Sequence, residues 1–183
     1  MAERRFEKAE IVNFLERIGM SFGADLNAYT AFDETVYMLT VPTDSAAHFR
    51  KSFQILADWA NGVTFDTVEV NKERGVVIEE WRSRRGAQAR VQDKQLPVLL
   101  QGSRYAERLP IGTPEGLQSF KQEALRRFYQ DWYRPDMMAV VAVGDFNPDS
   151  VVSLIRREFA AIKPVAKPTR RPTYPVLGND TTL

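Results

Sequence analysis

The chain contains no cysteine and a single histidine, His48, among its 183 residues. The first absence excludes disulfides and thiolate metal sites and leaves the compartment open. The second bears on hydrolytic chemistry, because a catalytic zinc site takes three protein ligands of the His, Cys or carboxylate kind and keeps one position for water. No stretch approaches the roughly eighteen apolar residues of a membrane-spanning helix. The opening residues AERRFEKAE also lack the apolar centre of a signal peptide. Charge of one sign is missing too: 25 lysines and arginines meet 24 aspartates and glutamates, a formal net charge of +1. Basic side chains are interspersed with acidic ones, which removes the electrostatic footprint of a nucleic-acid binder. The sequence therefore reads as a soluble protein with neither nucleic acid nor membrane as a partner, and its localisation stays unknown.

What is present is a globular composition, 44% hydrophobic and 27% charged, in a chain long enough to bury roughly 70% of its unfolded surface. Residues 7–18 carry Ile11, Phe14, Leu15 and Ile18 at helical period and stop at Gly19. Two segments rich in Thr, Tyr and Val, ADLNAYT and ETVYMLTVP, follow across residues 24–42 and read as a hairpin or adjacent strands. Asp44 or Ser45 caps a second helix with Phe49, Phe53, Leu56 and Ala60 on one face, closed by Asn61 and Gly62. Asp66 and Glu69 make a capping-box-like start for a third helix that reaches about Arg85. A fourth covers residues 88–100, where Pro97 kinks or ends it. A long loop punctuated by Gly and Pro spans residues 102–115, and a helix over residues 122–132 then carries Leu125, Phe128, Tyr129 and Trp132. The apolar run MMAVVAVG at residues 137–144 predicts a strand buried on both faces. Pro148 opens a last helix with Val151, Val152, Leu154, Ile155 and Phe159. Beyond Ile162 the apolar period stops, and Pro164, Pro168, Pro172 and Pro175 make residues 163–183 a linker or tail behind a domain of residues 1–162.

The residues with chemical potential are carboxylates. In ERGVVIEEW, Glu73 and Glu80 stand seven residues apart, which on a helix returns both to nearly the same side. Two acids at that spacing also describe a solvated helix face. His48, between Ala47 and Phe49 near a helix start, has the setting of a surface or boundary histidine. The arginines from Arg82 to Arg90, with Glu79, Glu80 and Asp93 beside them, read as a solvated face as well.

Four blocks in order, GADLNAYTAFDETVYMLTVP, KERGVVIEEW, RYAERLPIGTPE and FYQDWYRPDMMAVVAVGDF, resemble the amino-terminal domain of the pitrilysin and insulinase (M16) group of zinc metallopeptidases. The resemblance covers nearly all of residues 6–162. It implies an α+β fold, a mixed and mostly antiparallel sheet with helices packed on it, paired with a second similar domain or subunit around a peptide-degrading chamber. It also implies peptide or unfolded-protein substrates and zinc as the cofactor of the complete enzyme. By resemblance Glu80 matches the third zinc ligand and Glu73 the carboxylate that supports the site from behind. Asn27, Ala28 and Tyr29 match the sheet edge on which an extended substrate lies.

The family's His-x-x-Glu-His motif, which supplies two zinc ligands and the general base, has no counterpart here. The resemblance places it at or just before Met1, so the domain reads as partial, truncated at its N-terminus. The expectation that follows is a partial endopeptidase domain that binds no zinc and hydrolyses no peptide in isolation. The alternative is a non-catalytic scaffold of the same fold, or a partner subunit of an active peptidase. A missing strand and helix would leave apolar surface open, which predicts self-association.

Overall fold

Apolar periodicity at 3.6 residues builds most of this chain, and β-propensity builds one hairpin. The computed structural model describes residues 10–21 and 23–176. In them α1 (Glu10–Arg17) leads into β1 (Leu26–Thr30) and β2 (Thr35–Leu39), followed by α2 (Ala46–Asn61), α3 (Thr67–Ser83), α4 (Ala87–Leu99), α5 (Pro114–Ser119), α6 (Gln122–Trp132) and α7 (Pro148–Phe159). The fold is α+β and rich in helix. Its sheet among the described residues is the antiparallel pair β1–β2. The chain divides into two units, the first made of Met1–Tyr29, Thr35–Thr64 and Arg126–Thr169, the second of Thr30–Glu34, Phe65–Leu125 and Arg170–Leu183.

The first unit holds the hydrophobic interior. Phe14 and Leu15 of α1 meet Ile55 of α2, and Leu26, Leu39 and Trp59 pack around them. Ile55 is 0% exposed. Ser45 caps α2 as the sequence allows, its side chain accepting from the N–H of His48. The buried face of α2 runs through Ser52, Phe53, Ile55 and Ala57, broader than the Phe49–Phe53–Leu56 stripe read from the sequence, because Ile55 points into the space between α1 and the hairpin. A tyrosine cluster ties β2 down: the Tyr37 and Tyr133 hydroxyls are 2.7 Å apart, and Tyr129 donates to the Trp59 carbonyl at 2.7 Å. Arg134, 4% exposed, is held by Asp136 and donates to the Thr169 carbonyl at 2.6 Å.

In the second unit α3 packs against α5, and α4 against a short 3₁₀ turn at Arg104–Glu107. Neither α3 nor α4 has a buried residue. Pro97 lies within the last turn of α4, where the helix ends as expected. The region read as a loop over residues 102–115 contains that 3₁₀ turn and the start of α5, whose cap is Thr113.

Two expectations meet the structure differently. Of the first helix, residues 7–9 lie outside the described residues, and α1 accounts for the rest. The strand at residues 137–144 does not form a ladder among the described residues. Its backbone leaves a 3₁₀ turn at Pro135–Met137 extended, with Met138 at φ −110° and ψ 147°. Exposure alternates along it: Met138, Val140 and Ala142 are half-buried, whereas Val141 is 82% and Val143 93% exposed. A continuous apolar run signals two covered faces, and the described residues cover one.

Candidate functional site

α3 owes its position to its first turn. The Asp66 side chain accepts the N–H groups of Val68 at 2.9 Å and Glu69 at 3.1 Å, filling two of the donor positions that a helix start leaves open. Phe65 just before it has φ 54°, and its carbonyl accepts from the Gln122 amide, whose oxygen takes the Thr67 hydroxyl at 2.8 Å. Further along, Arg74 donates to the carbonyls of Leu117 and Phe120 and lies 3.8 Å over the Phe120 ring. Arg74, Val77, Ile78 and Trp81 form the half-buried face, and Glu73 and Glu80 are exposed beside it.

Both glutamates thus sit on one helix, two turns apart, in contact with solvent. Glu80 is paired with Arg84 one turn further on. An exposed i,i+4 pair of this kind is worth about 0.3–0.5 kcal/mol, a hold that a stronger ligand displaces. Glu73 has no ionic partner among the described residues.

These residues fit a hydrolytic metal only in part. Glu80 can offer one carboxylate, and among the described residues no three His, Asp or Glu side chains converge where an ion could be held. His48 is half-buried with its ring edge-on to Phe14 at 5.7 Å, the boundary position expected of it. Among the described residues the donor set of a zinc centre is therefore incomplete, and no hydrolytic step follows from them alone.

The peptide-binding candidates lie on the hairpin. Ala31 N–H donates to Glu34 O at 2.9 Å and Thr40 N–H to Asp25 O at 2.8 Å. That register puts Ala28 opposite Tyr37 in a non-hydrogen-bonded pair and turns the Ala28 N–H to the outer edge. There it donates to Asn27 Oδ1 at 2.8 Å, while Asn27 Nδ2 donates to the Gly23 carbonyl at 3.3 Å. The Asn27 side chain thus satisfies an edge donor that an incoming strand would otherwise meet, and Tyr29 stands beside it 48% exposed. No second strand pairs with β1 among the described residues.

A cluster that sequence reasoning did not find lies at the hairpin tip. Tyr105 donates to both Asp33 oxygens at 2.8 Å, and Arg171 pairs with the same carboxylate at 3.4 Å. The Asp33 carboxylate raises the Tyr105 hydroxyl above the usual tyrosine range by accepting its proton in a hydrogen bond. With Asp33 and Tyr105 separated by 72 positions in sequence, no local pattern could reveal the pair.

Comparison with known proteins places this geometry. Residues 2–107 match the family described as Insulinase (Peptidase family M16), and residues 119–181 match the Peptidase M16 inactive domain. The zinc protease PQQL-like of Arabidopsis thaliana is 41% identical over 183 residues, 99% of this chain and 19% of the relative. The probable zinc protease PqqL of Haemophilus influenzae is 36% identical across 91% of this chain and 18% of its own length. In three dimensions the first half of the periplasmic protease PqqL from Escherichia coli superposes with a TM-score of 0.86 at 34% identity, over 92% of this chain and 36% of that one. The ferredoxin protease FusC, solved in complex with Arabidopsis ferredoxin, gives a TM-score of 0.81 at 30% identity, over 92% of this chain and 19% of that one. The chain spans about a fifth of the length of the curated relatives it matches. The zinc in those relatives' names agrees with zinc as the metal of the full-length family enzyme, and the chain belongs to the insulinase family of peptidases, M16, as part of its peptidase domain.

Proposed function

We propose that this chain contributes the carboxylate arm and the substrate edge of a zinc endopeptidase that acts on peptides or unfolded proteins. Glu80 serves as a zinc ligand and Glu73 as its support, and Asn27, Ala28 and Tyr29 hold an extended substrate by main-chain hydrogen bonds. Residues 1–162 constitute the partial peptidase domain and residues 163–183 the tail behind it. The observation that carries the reading is the pairing of features in one short chain: an exposed Glu73–Glu80 pair on α3 and a hairpin edge whose outward Ala28 N–H is taken by the neighbouring Asn27 side chain. Strand addition suits broad specificity, since backbone bonds do not depend on the substrate's sequence.

The zinc, when bound, would polarise a carbonyl or acidify a water. The imidazole ligands and the general base of that chemistry are not among this chain's residues, His48 being its single histidine. The isolated chain is therefore inactive, and a second similar domain or subunit of the family serves to enclose the peptide chamber. Calorimetry with zinc and a fluorogenic peptide assay test this. The expected result is no binding tighter than micromolar and no turnover. Sub-micromolar zinc binding by this chain, or turnover abolished by a chelator, would refute it. In isolation the chain self-associates through residues 138–143, whose exposed valines have no cover among the described residues.

A further inference from the structure

The proline-rich tail departs from the usual behaviour of a linker at two residues. Arg171 reaches the Asp33 carboxylate at 3.4 Å and the Asp33 carbonyl at 3.5 Å. Tyr174 accepts from Arg104 at 3.1 Å, and its ring lies edge-on to Tyr105 with centroids 5.8 Å apart. Tyr105 in turn holds both Asp33 oxygens and packs against Phe32 with centroids 5.0 Å apart. The hairpin turn, the 3₁₀ turn at Arg104–Glu107 and the tail therefore meet in one polar and aromatic knot within the second unit.

A single exposed ion pair contributes little. Here one carboxylate takes a bifurcated phenol bond and an arginine at once, and the two tyrosine rings and the Arg104 guanidinium, 5.5 Å over the Tyr174 ring, hold those donors in place. Networks with shared members exceed their separate pairs. Asp33 lies in the turn that ends β1 and precedes β2, so fixing Asp33 fixes where the outer edge of β1 ends. Nothing in the proposed chemistry uses the knot.

We propose that Tyr105, Arg171 and Tyr174 are positioning residues: the tail straps the hairpin turn through Asp33 and so presets β1 to receive an extended peptide. This rests on the reading of β1 as the peptide edge. Its chemistry makes the ligand any unstructured peptide able to add a strand, and it makes tail and hairpin move together. A preset edge loses less conformational freedom on binding than a loose one.

The experiment uses the whole chain, with amide hydrogen exchange of the hairpin and the affinity for a fluorescein-labelled, proline-free unstructured peptide read in parallel. Tyr105→Phe and Arg171→Gln are expected to speed exchange at Ala31 and its neighbours roughly fivefold, the size of one lost hydrogen bond, and to weaken the peptide by a similar factor. Arg170→Gln removes the same charge one residue away, where no contact to the turn is made, and is expected to change neither. Unchanged exchange in the Tyr105 and Arg171 variants overturns the strap. Faster exchange with unaltered peptide affinity, while Ala28→Pro weakens the peptide, overturns the positioning role and leaves the edge reading intact. An affinity that Ala28→Pro does not touch, or no peptide binding at all, removes the edge reading and the positioning role with it.

Discussion

Tyr37 and Tyr129 show how a partly desolvated phenol links protonation to folding. Burial raises both above the ordinary tyrosine range: Tyr37 strongly, with the Tyr133 hydroxyl adding to it, and Tyr129 to about 12. An unfolded tyrosine titrates near 10. Between those values the unfolded chain gives up protons that the folded chain keeps, so stability falls as pH rises. The contribution is fully present below about pH 10 and is lost as pH climbs through the folded value of about 12 for Tyr129. The expected outcome is alkaline unfolding in that window, followed by tyrosinate absorbance and circular dichroism together. Tyr129→Phe should lower stability at neutral pH by loss of the Trp59 bond yet flatten the alkaline decline, since one linked proton is gone. At the same scale, the Glu80–Arg84 pair explains how a candidate ligand sits quietly in solvent: a weak i,i+4 partner neutralises it without burying it.

At the level of elements, α3 offers the cleanest experiment. Gly75 lies inside it, and a Cβ placed there meets nothing within 4 Å. Glycine in a helix interior costs about 0.5–1 kcal/mol relative to alanine. Gly75→Ala is therefore expected to raise stability by about that amount in urea titration, and an unchanged or lowered midpoint would show that the position is constrained by something other than its helix. The helices were legible because their apolar period and their caps agree, as at Asp66 and Ser45, where side chain and position point the same way. The hairpin was legible for a similar reason, through the Thr, Tyr and Val content of β1 and β2. The strand expected at residues 137–144 failed for a physical reason that pattern cannot supply: a continuous apolar run says that two faces want cover, and is silent on whether the covering elements are present. Glu73, Glu80 and the NAYT segment were singled out through the family resemblance, whereas the Asp33–Tyr105–Arg171 knot joins residues too distant in sequence for any period to connect.

For the whole molecule, the exposed valines of residues 138–143 are expected to govern behaviour in solution. An extended backbone with Val141 and Val143 on one exposed face is the kind of edge that recruits another strand. Light scattering at micromolar concentration is expected to show association that weakens with dilution, and the double variant Val141→Lys, Val143→Lys is expected to abolish it. A wild-type chain that stays monomeric there would remove the proposal. Among the described residues, every buried hydrophobic side chain belongs to the first unit, and Ser103 is the one buried residue of the second. Cohesion in the second unit thus comes from capped helix ends, arginine–carbonyl bonds and ring contacts, forces that water competes for directly. Breathing motions should therefore concentrate there, and Trp81, stacked under Arg85 at 4.3 Å, is the native fluorophore placed to register them before the apolar interior gives way.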